Sequence, residues 1–411
     1  MSICKNFGAP SLVRRFGTRR FRPHTVSLLL FCLVFISAIS VAFLPPSDHF
    51  SDHFQFLVGH FLSQSAKFVV FSPSARSAAG DGENPLLILQ EVVCPNGSDH
   101  CFKVEDLVRH ELQPNGTKWR RYQRLVMDQS EENVIFSIAD LIPDDPDAPF
   151  SAQNALRWTV RKSSLPVDYM KAIAAQMFIS GCARLEPSGR TRRTLMVGLG
   201  GASVPNFLLE TDPSHEVVSV ELEPAVEYIA RKWFGLVQSP RQKVVVRDGV
   251  EFIREWTEEN DGRFDCVIVD ACKISAIPPA QKYPLLCPFF EAFVDYDQMA
   301  DKFVKMLNSK GICLFLKIIP PKNSMVAEGR QFLLDLFRRH FGGEHFCYYI
   351  GVNGFFANKL LVCNLALSSA EPMTEKLFDH RMNKLPKWLQ GELRTEMRIE
   401  NWRKKPKKAE I

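Results

Sequence analysis

A strong charge of one sign is missing from this chain. Its 411 residues carry 51 Lys and Arg against 46 Asp and Glu, a net +5. That surplus is too small for the basic footprint of a nucleic-acid binder, so no nucleic-acid partner is expected. No internal repeat is visible, which excludes an array or solenoid of repeated units. Histidines with metal-ligand spacing are nearly absent. Only His49 and His53 stand four apart, a spacing that can hold a metal on a helix. They lie in a Ser-, His- and Phe-rich stretch far from any other candidate, where two solvated side chains are the better reading, and no metal is expected. Disorder is excluded by the opposite abundance: 46% apolar residues and 32 Phe supply a sizeable core.

Charge is also missing, completely, from Thr25 to Leu44. The run is long enough to cross a bilayer as a helix and apolar all round, unlike an amphipathic core helix. A cleaved signal peptide would have a shorter apolar stretch and a small-residue cleavage site. Here Phe43, Leu44, Pro45 and Pro46 close the segment. Arg14, Arg15, Arg19, Arg20 and Arg22 precede it, and Asp48 and Asp52 follow. The expected topology is a single-pass signal-anchor with a cytoplasmic N-terminus and a lumenal catalytic domain in the endoplasmic reticulum or Golgi, with a cytosol-facing domain as the alternative. Two acceptor triplets for N-glycosylation, at Asn96 and Asn115, agree with the lumenal reading. Cys94 and Cys101 bracket the first and could close a disulfide loop. Cys266, Cys313 and Cys363 lie in apolar runs and read as small buried hydrophobes.

The chain divides into a cytoplasmic tail (1–24), the anchor (25–45), a stem (46–83), a small β region (84–150), a main domain (151–367) and a C-terminal helical and basic tail (368–411). In the β region, Leu86–Val93, Arg121–Met127 and Asn133–Ile138 read as strands separated by Asn-Gly turns and acidic stretches. The main domain alternates strand-like and helix-like segments, which predicts a Rossmann-like α/β fold with helices on both faces of a parallel sheet. Its last two strands, near 345–350 and 360–365 with no helix between them, predict an antiparallel hairpin at one edge.

In an open parallel sheet the ligand binds beyond the carboxyl ends of the strands. The first strand, at 194–197, runs into Gly198-Leu199-Gly200-Gly201-Ala202-Ser203, where glycines allow a tight turn and close backbone approach ahead of a helix N-terminus. The second ends in Glu221, followed by Glu223; an acid about twenty residues after such a loop can accept hydrogen bonds from ribose hydroxyls. The third leads to Arg247-Asp248-Gly249, and the fourth, Cys266-Val267-Ile268-Val269, ends in Asp270. The candidate cofactor-binding residues are therefore Gly198, Gly200, Gly201, Glu221, Asp248, Gly249 and Asp270. Asp270 is also the candidate catalytic residue, able to orient or deprotonate an acceptor amine. Lys273 and Tyr283 are weaker pocket candidates. Cys272 has no neighbouring His in sequence and reads as packing.

The motifs GLGGAS, VELEP, RDG and VIVDA resemble the spermidine-synthase-like branch of class I methyltransferases. Trp233-Phe234-Gly235-Leu236, Gln238-Ser239 and Arg241-Gln242-Lys243-Val244 narrow the resemblance to the C-terminal domain of the methyltransferase-like proteins that methylate elongation factor 1-alpha. Trp119–Leu125 and Tyr169–Ala174 are similar too, and the resemblance covers residues 85–367. It implies S-adenosylmethionine as cofactor, a protein or amine acceptor, and cytosolic work on a cytosolic substrate, at odds with the anchor. Aminopropyltransferases of this branch carry an acid where Gly201 stands and a second shortly after the Asp270 position. Here the second stretch reads Ala271-Cys272-Lys273, whose cation would repel a polyamine. Methyl transfer is thus the preferred reaction. An aminopropyltransferase and a catalytically silent, membrane-tethered binding protein of the same fold are the alternatives. A homodimer is compatible with the sequence.

Overall fold

The computed structural model describes residues 86–95, 101–112, 116–129, 134–186, 189–271, 295–317, 324–352, 359–395 and 397–400, all within one compact unit, Ser72–Ile411. The expected anchor and stem, both glycosylation asparagines, Cys272, Lys273, Tyr283 and the basic C-terminal end lie outside those residues. Among the described residues no helix is long and apolar enough to cross a membrane.

The chain first builds an antiparallel sheet of β1 (Leu86–Val93), β2 (Phe102–Leu112), β3 (Lys118–Asp128), β4 (Val134–Ile142) and β5 (Thr159–Val160), in that spatial order, with the short helix α1 (Ala152–Ala155) before β5. β2 was not expected, because its sequence FKVEDLVRHEL is rich in charge. Those charges are absorbed locally. Lys103 pairs with Glu105 at 2.9 Å, Arg109 with Glu111 at 2.8 Å, and Asp106 meets Arg124 on β3. β5 extends this sheet ten residues past the expected boundary at 150.

The second sheet follows. Helix α2 (Asp168–Ser180) ends at Gly181, whose φ of 80° supplies the left-handed stop. Then come β6 (Arg192–Val197), α3 (Ser203–Thr211), β7 (His215–Glu221), α4 (Pro224–Trp233), β8 (Gln242–Val246), α5 (Gly249–Glu255), α6 (Glu258–Asp261) and β9 (Phe264–Val269). Beyond the intervening segment lie α7 (Tyr296–Met306), β10 (Leu307–Lys317), α8 (Ser324–His340), β11 (Cys347–Val352), β12 (Lys359–Asn364), α9 (Glu375–Met382), α10 (Lys387–Glu392) and β13 (Met397–Glu400). The sheet order is β13-β11-β12-β10-β9-β6-β7-β8. The neighbours from β10 to β8 are parallel, and β12 inserts antiparallel between β10 and β11. The expected hairpin is therefore present with its second strand inside. β13, in the tail read as helical and basic, pairs with β11.

Alternation along β9 shows why the sheet is buried on both faces. Val267 and Val269 face a core with Phe303 of α7 and Phe337 of α8; Cys266 and Ile268 face the opposite core with Ile173 of α2 and Phe207 of α3. Parallel strands covered on both faces read as continuous apolar runs, which is what made β9 visible in sequence. The small sheet packs on α4: Phe102, Val104 and Val126 meet Val226, Ile229 and Trp233.

Candidate functional site

The first turn after β6 is set by backbone contact. Gly198 has φ 92° and donates its amide to Val220 at 2.8 Å, while Asp270 donates its amide to Val197 at 2.8 Å. A β-carbon at Gly198 would lie 2.2 Å from the Asp270 carbonyl oxygen, so only glycine fits between the ends of β6 and β9. Gly200 and Ala202 also have positive φ, and Ala202, at 55°, precedes the first residue of α3. Positive φ at alanine is a strained conformation of the kind that persists where surrounding structure imposes it.

Glu221 holds the loop from the next strand. Its Oε2 accepts the Leu199 amide at 2.9 Å and its Oε1 accepts the Glu223 amide at 3.0 Å. Burial raises this carboxyl above its ordinary range, and the amides of Glu223, Leu199, Gly200 and Leu222 work against that rise. Asp270 stands at the end of β9, within the field of Glu221. Burial, then the Glu221 charge, push its carboxyl up to about 7, against the stabilising hydrogen bond from the Tyr169 hydroxyl. Tyr169 itself is held well above its usual range by burial and by Asp270.

Tyr169, in the first turn of α2, is the site residue that sequence reasoning missed. It lies a hundred residues before Asp270, and no spacing rule connects a helix start to a strand end across the sheet. The signal available was only its place in Tyr169–Ala174, a segment similar to the same family.

Two of the predicted residues have structural partners of their own. The Gly201 amide donates to Ser137 Oγ of β4 at 2.7 Å, and a β-carbon there would lie 2.4 Å from that oxygen and 2.6 Å from Phe234. Gly201 thus faces the small sheet, and a carboxylate side chain has no room. Replacing it with Asp is expected to destabilise the fold by about 1–3 kcal/mol through overpacking, read as a fall in the urea midpoint. Asp248 is exposed and caps α5, with Oδ1 accepting the Val250 amide at 2.7 Å and the Glu251 amide at 3.3 Å. Gly249 opens that helix. Arg247, one residue earlier, donates its amide to the Glu221 carbonyl at 2.8 Å, so the third strand is keyed to the second beside the site. Among the described residues no group of three or more His, Cys, Asp or Glu could hold a metal ion.

Fold and site together define a Rossmann-like α/β domain with a Gly-rich loop and acids at successive strand ends. The chain resembles the spermidine-synthase-like class I methyltransferases. It is 32% identical over 136 residues to the eEF1A lysine and N-terminal methyltransferase of Mus musculus, covering 32% of this chain and 18% of that protein. It is also 32% identical over 89 residues to the polyamine aminopropyltransferase of Vibrio vulnificus (strain CMCP6), covering 22% of this chain and 29% of that one. Among solved structures, human methyltransferase-like protein 13 in complex with SAH is similar with 21% identity and a TM-score of 0.43, over 58% of this chain and 96% of that chain. The match spans less than a fifth of the mouse protein's length. No family profile matches.

Proposed function

We propose that the protein is an S-adenosylmethionine-dependent methyltransferase that N-methylates a protein or amine acceptor. The observation that carries this reading is the pair of strand-end carboxylates, Glu221 and Asp270, beside the glycine loop, with the charge of Glu221 helping to raise the Asp270 carboxyl. Two like charges in a desolvated cleft repel, and a bound cation relieves them. A sulfonium nucleoside meets both demands: hydroxyls for Glu221 and positive charge for the cleft. When bound, it supplies an electrophilic methyl group.

The rest of the chemistry falls to the chain. Glu221 fixes the nucleoside while holding Leu199, so binding and loop shape depend on one side chain. Asp270, ionised above about pH 7, orients an acceptor nitrogen and takes its proton. Tyr169 donates to Asp270 and favours the carboxylate, and most of the remaining rate comes from alignment. Methyl transfer is preferred to aminopropyl transfer because Gly201 is packed against Ser137 and Phe234, where an acid to hold a polyamine ammonium could not fit.

The test is calorimetric. Glu221→Ala removes charge-assisted hydrogen bonds of about 1.5–3 kcal/mol in total, so S-adenosylmethionine should bind roughly ten- to a hundredfold more weakly. Unchanged affinity, with native circular dichroism, would sink the site assignment. Spermidine formation from the decarboxylated cofactor and putrescine would overturn the choice of reaction.

A further inference from the structure

Six cysteines have side chains that the structure describes, and all six are paired. Cys94 and Cys101 close the β1–β2 hairpin one position beyond the Val93–Phe102 pair, with 4.2 Å between their Cα atoms. Cys347 and Cys363 stand directly opposite each other on β11 and β12, also at 4.2 Å. Cys182, just past the end of α2, meets Cys266 in the middle of β9 at 6.1 Å. Sequence separations of 7, 16 and 84 make these three separate arrangements in two different sheets. Cys266 and Cys363 are thus not the simple buried hydrophobes their apolar surroundings suggest.

The third bond has a position that matters for chemistry. It joins α2, whose first turn carries Tyr169, to β9, which runs into Asp270. Closed as a disulfide, this pair links the two elements that present the hydrogen-bonded pair of the site.

Thiols placed this way stay reduced in the cytosol, where glutathione and thioredoxin act on them, and persist as disulfides in oxidising compartments. We infer that the catalytic unit matures oxidised on the non-cytosolic side of a membrane, and that its methyl acceptor is an amine of a polypeptide in the secretory route. The acceptor half rests on the methyltransferase reading above. Each pair of thiols gives up two protons and two electrons to a disulfide-donating oxidoreductase, whose own disulfide is reduced to a dithiol while the cysteine S–S bond forms. The uncharged run at 25–44 behind an arginine cluster and the two glycosylation triplets point the same way. A cytosolic acceptor of the elongation-factor type would never meet a unit on that side.

The experiment uses the full chain expressed in eukaryotic cells. Intact microsomes are treated with maleimide, and the protein is then purified, reduced, labelled with a second alkylating agent and mapped by mass. Cys94, Cys101, Cys182, Cys266, Cys347 and Cys363 should all carry the second label, and the region from 86 to 400 should resist protease until detergent is added. First-label cysteines at these positions, or digestion without detergent, overturn the inference. Protein purified from the same cells without reduction or alkylation is titrated with S-adenosylmethionine and offered lumenal and cytosolic protein fractions with the labelled cofactor. Label confined to lumenal proteins is the expected result, and label on cytosolic proteins alone overturns the acceptor class. An oxidised, protected protein that fails to bind the cofactor refutes the methyltransferase reading and with it the acceptor half, while leaving the compartment established.

Discussion

Asp270→Asn should lower methyl transfer by about 10²–10⁴-fold, the range lost when a positioned proton acceptor is removed. The amide keeps the size of the carboxyl and can still hydrogen-bond to Tyr169, so the pocket keeps its shape. What disappears is the capacity to take a proton from the acceptor amine. Cofactor affinity should change far less than turnover, because the loop is held by Glu221 through Leu199 and Glu223. A variant that retains more than about half the wild-type turnover would leave Asp270 as a structural acid.

The pH profile gives the same assignment a second reading. With Asp270 pushed up to about 7, the proton-accepting form is scarce at pH 6 and abundant at pH 8. The wild-type kcat/KM should therefore rise as pH passes through 7. Asp270→Asn should lose that component, leaving only the titration of the acceptor amine. The stability effect has the opposite sign. A carboxyl whose folded pKa lies above its unfolded value contributes most below pH 4, and that contribution fades as pH rises through 7. The cost of ionising it in the folded state is up to about 4 kcal/mol. Asp270→Asn should therefore melt higher than wild type at pH 8 and about level with it at pH 4. A site that gains stability when its base is removed has given up stability for reactivity.

The parallel half of the fold was legible because burial on both faces leaves continuous apolar runs such as Cys266–Val269, each ending where the chain turns polar. Glu221 and Asp270 were visible for the same reason: a strand end is a fixed place relative to the glycine loop. β2 was hidden because its charges look like a solvated segment until their partners, on β2 itself and on β3, are known. Tyr169 was hidden because its meeting with Asp270 is made by the packing of α2 on the sheet, which no local spacing encodes. Gly201 was read in the right loop, but whether a glycine faces ligand or protein depends on what packs outside it. Here Ser137 and Phe234 do, and they come from the small sheet and from the residue just after α4.

That docking of the small sheet on α4 depends on one buried ion pair, and breaking it should cost about 3–5 kcal/mol. Arg124 on β3 donates from Nε to Asp106 Oδ1 at 2.6 Å and from Nη2 to Asp106 Oδ2 at 2.8 Å. The same guanidinium reaches the Trp233 carbonyl at the end of α4 at 2.8 Å and the Ala155 carbonyl at 3.2 Å, and lies over the Trp233 ring. Asp106 is fully buried and has one further donor, Gln90 Nε2 at 2.8 Å. Arg124→Met keeps the length of the side chain but strands a carboxylate in the core and frees two carbonyls. The expected result is a large fall in the urea midpoint, with much of the loss recovered when Asp106→Leu is added, since the unpaired charge is then gone. By contrast, Arg157→Met, which breaks a surface pair with Asp144 whose side chains are 55% and 46% exposed, should change stability by less than about 1 kcal/mol. Because Phe234 follows Trp233 and presses on Gly201, loosening this joint should also weaken cofactor binding, although Arg124 lies outside the cleft. If Arg124→Met melted like wild type, the small sheet would be an appendage and the Gly201 packing would need another support.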